Sequence, residues 1–318
     1  MSIFKLDPAF KDYIWGGTRL RDEYGKKCDY DKVAESWELS CHKDGPSVVA
    51  DGEHKGLTLN EYIEKAGKGV LGKNCERFEN FPILIKLIDA KDNLSVQVHP
   101  DNDYAMRVEG EYGKTEMWYV VDCDEGATLL YGFKHEITKE EFARRIADNT
   151  LLEVTNAVPV KKGDVFFIKS GTLHAIGKGI LIAEIQQNSN TTYRIYDYGR
   201  VGKDGKPREL HVNKALDVTK LAPAEQYPET PVEKKDGYDI KLLSKCEYFT
   251  TYRVNVETKA ELDADENSFN SILVLEGEPV ISGGETVSAK KGESVFISAG
   301  TGKYTVEGKC TFVLTKID

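Results

Sequence analysis

The chain has 318 residues, of which 40% are hydrophobic and 30% charged, and its net charge at pH 7 is −10. That length permits a substantial buried core and favours two domains. The acidic balance argues against a nucleic-acid-binding surface, which would be basic. No stretch has the length and apolarity of a transmembrane helix, and we expect no signal peptide because residues 1–7 lack an apolar run.

The cysteines give a prediction about the cellular compartment. They are scattered, without a Cys-x-x-Cys pair, at Cys28, Cys41, Cys75, Cys123, Cys246 and Cys310. This spacing indicates reduced thiols in a cytoplasmic protein. The sequence leaves the oligomeric state open.

Short apolar segments separated by Gly, Asp and Asn dominate the chain, and this pattern predicts a mainly β fold, either a sandwich or a barrel. The predicted strands include 83–88, 118–121, 165–168, 180–185, 271–275, 295–297 and 311–314. The helices are expected to be short insertions at about 58–66, 101–110 and 138–148. The last of these follows Thr138-Lys139-Glu140-Glu141, which has the pattern of a capping box.

A linker is predicted where prolines and charges accumulate. Residues 221–236 contain three prolines and many charged residues. The chain would therefore divide into a domain at 1–220 and a smaller β domain at 237–318.

Gln97 and His99 alternate with Val96 and Val98. In a strand, this period of two places the polar pair on one face and the valines on the other. Glu116 and His174 follow in similar β-rich segments. A carboxylate, two imidazoles and an amide form a mixed nitrogen and oxygen set, which suits zinc or another borderline divalent ion.

A single histidine on a strand is more often a hydrogen-bonded structural residue than a metal ligand. His99 and His174 both lie in β-rich segments, however, and Glu116 lies between them in a similar context. The combination favours a metal site over two unrelated structural histidines.

The sequence contains an internal repeat across the linker. Residues 160–174 and 289–303 share a Lys-Lys-Gly-acid turn, an apolar strand and a Gly-Thr turn. Lys303 stands in the second copy where His174 stands in the first, and no acidic residue replaces Glu116. The alternative is two unrelated strands that share a common turn. The repeat predicts a second, ligand-free copy of the sandwich with a structural role.

Several motifs together resemble one enzyme family. They are Trp15-Gly16-Gly17, 82–86, 94–100, 114–119, 171–175 and 184–194, in this order and spacing. The chain resembles the type I mannose-6-phosphate isomerases of the short bacterial kind, in the cupin superfamily. The resemblance implies a jelly-roll β-sandwich and interconversion of mannose 6-phosphate and fructose 6-phosphate. Longer members carry a large helical insertion, and here the helical part is short.

The resemblance also implies roles for individual residues. One Zn²⁺ would be held by Gln97, His99, Glu116 and His174, and Arg194 would be the active-site arginine. It further suggests Lys86, Ser95 and Arg200 as ligands of the substrate phosphate. A lysine in the apolar run 83–88 needs an anion or a carboxylate near its charged head. Lys203 and Lys206 are interpreted as charges of an ordinary hairpin around Asp204-Gly205.

Aldose–ketose isomerisation moves a proton between C1 and C2 through an enediolate, and this requires a general base. Lys114 shares strand parity with Glu116, although a solvated charge at a strand end is an equal alternative. Glu184 lies between Ala183 and Ile185, which indicates partial burial with a partner. The sequence does not decide between the two.

Two other functions compete with a zinc isomerase. A cupin dioxygenase usually holds iron with histidine-rich ligands, and a glutamine ligand beside a basic phosphate-binding set argues against it. A non-catalytic sugar-binding cupin would tolerate the loss of Arg194, Lys114 or Glu184, yet all are present. The preferred partner is thus a small sugar phosphate, with neither nucleic acid nor membrane.

Overall fold

The computed structural model describes residues 2–202 and 205–318, and within them the protein is mainly β. The strands are β1 (Ile3–Asp7), β2 (Ala9–Lys11), β3 (Glu35–Leu39), β4 (Val48–Val49), β5 (Ile83–Ala90), β6 (Val96–Val98), β7 (Glu116–Cys123), β8 (Thr128–Phe133), β9 (Thr155–Pro159), β10 (Val165–Ile168), β11 (His174–Ala175), β12 (Ile180–Gln187), β13 (Tyr193–Tyr196), β14 (Val232–Lys235), β15 (Tyr238–Lys245), β16 (Thr250–Val256), β17 (Lys259–Ala264), β18 (Asn270–Gly277), β19 (Val280–Gly283), β20 (Glu285–Ser288), β21 (Ser294–Ile297), β22 (Gly302–Glu307) and β23 (Cys310–Lys316). Every predicted strand is confirmed. The turn predicted at Asp204-Gly205, with Lys203, falls partly outside the described residues.

Helices are short and few. They are α1 (Arg19–Asp22), α2 (Leu59–Ala66), α3 (Asn102–Val108), α4 (Lys139–Ala147) and α5 (Val212–Val218), with 3₁₀ turns at Lys68–Leu71, Lys73–Cys75 and Leu151–Glu153. The three predicted helices are confirmed. Helices α1 and α5 were not predicted, and neither has a side-chain hydrogen bond at its N-cap. None of these helices is long and apolar enough to cross a membrane.

The capping box predicted at Thr138 is only half formed. The Thr138 hydroxyl accepts a hydrogen bond from the Glu141 backbone N–H at 3.1 Å. The Glu141 carboxylate instead accepts from Arg145 at 2.7 Å. A complete capping box occurs at α2, where Thr58 and Glu61 each bond the other's backbone N–H.

Four antiparallel sheets form two stacked sandwiches. The strand orders are β10-β7-β12-β5-β3-β2, β13-β6-β11-β8-β9, β14-β15-β16-β23-β18-β21-β1-β4 and β17-β22-β19-β20. The first two sheets enclose a core that includes Trp118, Ile182 and Leu129. The last two enclose a second core, and the six- and eight-stranded sheets pack against each other through a third. Because both faces of the six-stranded sheet are covered, β5 and β12 are buried along their whole length.

One sheet draws its strands from both sides of the predicted division of the chain. Strand β14 lies inside the predicted linker 221–236, because the turn at Gly237 (φ +82°) folds it back onto β15 as a hairpin. Strands β1 and β4 lie in the first 220 residues but complete the C-terminal sheet, where β1 pairs with β21. The eight-stranded sheet therefore combines strands from the predicted N-terminal domain, the predicted linker and the predicted C-terminal domain.

The two repeated turns have the same local geometry. Gly163 donates to the Val120 carbonyl at 2.8 Å, and Gly292 donates to the Val274 carbonyl at 2.8 Å. Each glycine has a positive φ, +91° and +86°. The acid after each glycine accepts from a backbone N–H three residues earlier. The strands that follow these turns, β10 and β21, therefore occupy equivalent places in the two sandwiches.

Candidate active site and metal centre

Two facing sheets supply the candidate site. In the six-stranded sheet, alternate residues of β5, β7 and β12 face the apolar core shared with the C-terminal sheet, and the intervening ones face the five-stranded sheet. The latter group includes Lys86, Glu116 and Glu184. From the five-stranded sheet, Gln97 is the cross-strand neighbour of both His174 and Arg194. The facing side chains surround a cavity of about 260 Å³.

His99, Glu116 and His174 form a buried cluster beside this cavity. Their potential ligand atoms all lie within 4.8 Å of one another. Glu116 Oε1 is 3.4 Å from His174 Nε2, and Glu116 Oε2 is 3.6 Å from His99 Nε2. All three residues are at most 1% exposed. The prediction that these three residues converge is therefore confirmed.

The second nitrogen of each imidazole fixes its orientation. His99 Nδ1 lies 2.9 Å from the Thr191 carbonyl, and His174 Nδ1 lies 2.8 Å from the Thr172 carbonyl. Because Nδ1 donates to a carbonyl, the Nε2 lone pair of each ring faces the cluster. Burial lowers the pKa of His174 to about 4 and lowers that of His99 well below its usual value, so both rings are neutral at pH 7.

The cluster contains donor atoms suited to a cation. Glu116 Oε1 and His174 Nε2 are buried and have no hydrogen-bond partner among the described residues. Burial, followed by the nearby Glu184 carboxylate, raises the pKa of Glu116 to about 7. A divalent ion between these atoms would satisfy them and favour the ionised carboxylate. Gln97 lines the adjacent cavity and could complete the set.

A chain of alternating buried charges runs along the cavity wall. Lys86 Nζ is 3.6 Å from Glu35 and 3.4 Å from Glu184, and Lys114 Nζ is 3.6 Å from Glu184 and in contact with Glu116. Burial alone would lower the pKa of Lys86, but the carboxylates of Glu35 and Glu184 raise it above its usual value. The prediction that a carboxylate meets this lysine is confirmed.

The two candidate bases are neighbours at the cluster. Lys114 Nζ is 3.2 Å from His99 Nε2 and is buried, which excludes a solvated charge at a strand end. Glu184 accepts from Trp118 Nε1 at 2.8 Å. Burial opposes ionisation of Glu184, but Lys114 and Lys86 hold its pKa below the usual value.

The structure separates the residues predicted to bind the phosphate. Lys86 and Ser95 line the cavity, as does Arg194. The Arg200 guanidinium is directed elsewhere, donating to the Asp197 carboxylate and to the Asn93 carbonyl, each at 2.5 Å. Arg208 lines the cavity instead.

The sequence analysis assigned no role to six polar or aromatic residues of the cavity wall, namely Tyr13, Trp15, Glu35, Asn190, Thr192 and Arg208. Trp15 belongs to a quoted motif but received no role. Glu35 lies in β3, and only the pairing of β3 with β5 brings it beside Lys86. The available signal was an acid directly after Val33-Ala34, and in the structure Glu35 accepts a hydrogen bond from Trp37 Nε1 at 2.7 Å.

Comparisons with known proteins agree with this geometry. The family model "Phosphomannose isomerase type I, catalytic domain" matches residues 3–126, and "Mannose-6-phosphate isomerase, cupin domain" matches residues 239–317. Mannose-6-phosphate isomerase ManA of Bacillus subtilis is 39% identical over 312 residues, which are 98% of this chain and 97% of ManA. A second B. subtilis protein, named as a putative mannose-6-phosphate isomerase, is 39% identical over 98% of both chains.

Solved structures show the same relationship. The crystal structure of mannose 6-phosphate isomerase from B. subtilis matches with a TM-score of 0.93 and 38% identity, covering 99% of both chains. A putative mannosephosphate isomerase from Archaeoglobus fulgidus matches with a TM-score of 0.78 and 26% identity, over 99% of this chain and 97% of the other. The chain therefore belongs to the type I mannose-6-phosphate isomerase family, a family of cupin-fold isomerases.

Proposed function

We propose that the protein is a zinc-dependent aldose–ketose isomerase that interconverts mannose 6-phosphate and fructose 6-phosphate through an enediolate. The observation that carries this proposal is the buried His99–Glu116–His174 cluster. It has unpartnered donor atoms and lies beside a cavity lined by buried lysines, carboxylates and two arginines. The family relationship supports the choice of substrate. A cytoplasmic location is part of the same proposal, and the six free cysteines support it.

Gln97, His99, Glu116 and His174 would hold the zinc ion. When bound there, zinc supplies a Lewis acid that polarises substrate oxygens on which negative charge develops. The neutral Nε2 atoms and the Glu116 carboxylate match the ligand types that zinc prefers.

The protein's own groups account for the proton transfer. Lys114 and Glu184 both lie beside the cluster and the cavity, so either is placed to take a proton from C1 or C2 and return it to the other carbon. Glu184 is ionised at neutral pH, and the adjacent lysines would stabilise the negative charge that develops on the substrate. The identity of the base stays open between these two.

The proposed function is tested by metal content together with activity on hexose 6-phosphates. We expect purified protein to contain zinc and to convert mannose 6-phosphate into fructose 6-phosphate. A chelated sample should be inactive and should recover when zinc is restored. Iron with oxygen consumption would indicate a dioxygenase. Sugar binding without turnover would indicate a non-catalytic cupin.

The metal stoichiometry is expected to be one ion per chain, with the C-terminal sandwich purely structural. In the described residues, the one cluster of three His, Cys, Asp or Glu side chains suited to a metal is that of His99, Glu116 and His174. Lys303, which stands where His174 does in the repeat, is exposed and pairs across the sheet with Asp263. Zinc titration of chelated protein should saturate at one equivalent. Two equivalent sites per chain would contradict this prediction.

Replacing Glu184 by glutamine should destabilise the fold by an amount that depends on pH in a defined direction. The folded-state pKa of Glu184 lies below its usual value of 4.5. Its ionised form therefore stabilises the fold above pH 4.5, and this contribution is lost as the pH falls through the folded-state pKa. Because Glu184→Gln leaves two buried ammonium groups with one partner fewer, we expect a loss of about 3 kcal/mol at pH 7.

The measurement is denaturant unfolding of metal-free protein between pH 7 and pH 3. The free-energy difference between parent and Glu184→Gln should be largest above pH 4.5 and should shrink below it. Glu136→Gln, at an exposed position, is the matched control and should show no such dependence. A difference that grows towards low pH would show that Glu184 is not held ionised by the lysines.

A further inference from the structure

Two arginines donate to one carboxylate near the cavity, and a third arginine lies beside them. Arg208 donates to Asp197 through Nε at 2.8 Å and through Nη2 at 2.5 Å. Arg200 donates to the same carboxylate through Nη2 at 2.5 Å. Burial alone would raise the pKa of Asp197, but these bonds hold it below its usual value. One negative charge is therefore shared between two guanidinium groups.

Arg194 adds a third positive charge to the group. Its Nη1 donates to the Glu209 carbonyl at 2.9 Å, and its Nε is buried without a hydrogen-bond partner in the described part of the chain. The Glu209 side chain is 83% exposed, so solvent screens the attraction between its carboxylate and this guanidinium. Arginine is always charged in proteins. Three guanidinium groups near one buried carboxylate therefore leave an excess of about two positive charges.

Arg194 and Arg208 are the two arginines of this group that line the cavity. Arg200 is fixed by the Asn93 carbonyl and lies over the Tyr198 ring at 5.3 Å. Lys86, the other basic candidate, already lies between Glu35 and Glu184. The uncompensated positive charge in the cavity is thus concentrated at Arg194 and Arg208.

We propose that Arg208, held by Asp197 next to Arg194, binds the phosphate group of the substrate, and that Arg200 supports Arg208 without touching the phosphate. A phosphate monoester is a dianion and matches the excess charge. A guanidinium has five N–H donors, of which Asp197 takes two, so Arg208 retains donors for phosphate oxygens. The choice of a sugar phosphate as ligand rests on the proposed function.

The test compares Arg208→Gln, Arg208→Lys, Arg200→Gln and the exposed helix control Arg144→Gln, each loaded with zinc. One readout is the kinetics of mannose 6-phosphate conversion. The other is calorimetric binding of a hexitol 6-phosphate, which carries the phosphate but has no carbonyl group and cannot react.

Arg208→Gln should raise KM and the Kd of the hexitol phosphate roughly 10- to 100-fold, the range for a lost hydrogen bond to a charged group, with kcat much less affected. Arg208→Lys should recover part of that affinity and also serves if the glutamine variant does not fold. Arg200→Gln should have a smaller effect, and Arg144→Gln none.

A Kd for Arg208→Gln within twofold of the parent would overturn the proposal, as would a large loss confined to Arg200→Gln. The outcome is separable from that of the proposed function. Arg208-dependent binding of the hexitol phosphate by a protein that does not isomerise mannose 6-phosphate would sustain the phosphate site and refute the isomerase. Turnover with an unchanged KM in Arg208→Gln would do the reverse.

Discussion

Replacing His99 or His174 by alanine is expected to abolish both metal binding and isomerase activity. Each imidazole directs a neutral Nε2 at the Glu116 carboxylate, and each is oriented by a backbone carbonyl. Loss of even an outer hydrogen-bond partner of a metal ligand costs about 10–100-fold in affinity, so loss of the ligand itself should exceed about 100-fold. Metal content by elemental analysis and turnover of mannose 6-phosphate give the two readouts.

The control for these variants is His135→Ala, at an exposed position. It should retain zinc and full activity. The alanine variants should also remain folded, because removal of a ring from a metal cluster spares the apolar core on the other face of the sheet. Stoichiometric zinc in His99→Ala or His174→Ala, with normal turnover, would show that the metal is held elsewhere.

The strands and most of the metal centre could be predicted because both depend on local pattern. The alternation in 96–99 specified the face on which Gln97 lies, and Val96 and Val98 are fully buried on the opposite face. The parity that linked Lys114 to Glu116 holds as well, since their side chains are in contact. In a strand the side-chain direction follows from position alone, so no knowledge of topology was needed.

Residues brought together by sheet order could not be predicted in the same way. Glu35 meets Lys86 because β3 pairs with β5, and nothing in either segment specifies that pairing. Arg208 reaches the cavity because the chain folds back after β13 and the Asp197 carboxylate accepts two hydrogen bonds from its guanidinium group. The sequence favoured Arg200 by resemblance, but the Asn93 carbonyl holds that side chain away from the cavity. Long side chains in irregular segments have no periodicity from which to infer direction.

The long-range strand pairings of the C-terminal sheet could not be predicted for a related reason. Prolines and charges in 221–236 indicate an exposed segment, and this is correct for most of it, yet the hairpin at Gly237 extends the C-terminal sheet into the predicted linker. Strand β1 is far from β21 in the sequence, and their pairing is not encoded in local composition. Composition reports exposure, whereas membership of a sheet depends on long-range partners.

Replacing Arg194 by alanine should lower kcat of mannose 6-phosphate isomerisation by about 100-fold or more, the loss measured for one donor to a developing oxyanion. Arg194 lines the cavity from β13, and its strand neighbour Gln97 lines it as well. A guanidinium there would stabilise the enediolate more than the neutral ground state, so its loss should appear mainly in kcat. Arg194→Lys keeps the charge but loses the planar fork, and we expect it to be partly active.

The alternative for Arg194 is a structural ion pair with Asp197, which at a surface would contribute only about 0–1 kcal/mol. In the structure Arg200 and Arg208 occupy that carboxylate, whereas Arg194 donates to a backbone carbonyl. Steady-state kinetics with zinc content checked would decide between the two roles. A kcat within a few-fold of the parent, with the metal intact, would leave Arg194 without a catalytic role. A large fall in kcat for Arg194→Ala, together with a rise in KM for Arg208→Gln, would instead show that the two arginines have different roles. Arg194 would stabilise the reacting carbons' negative charge, and Arg208 would bind the phosphate.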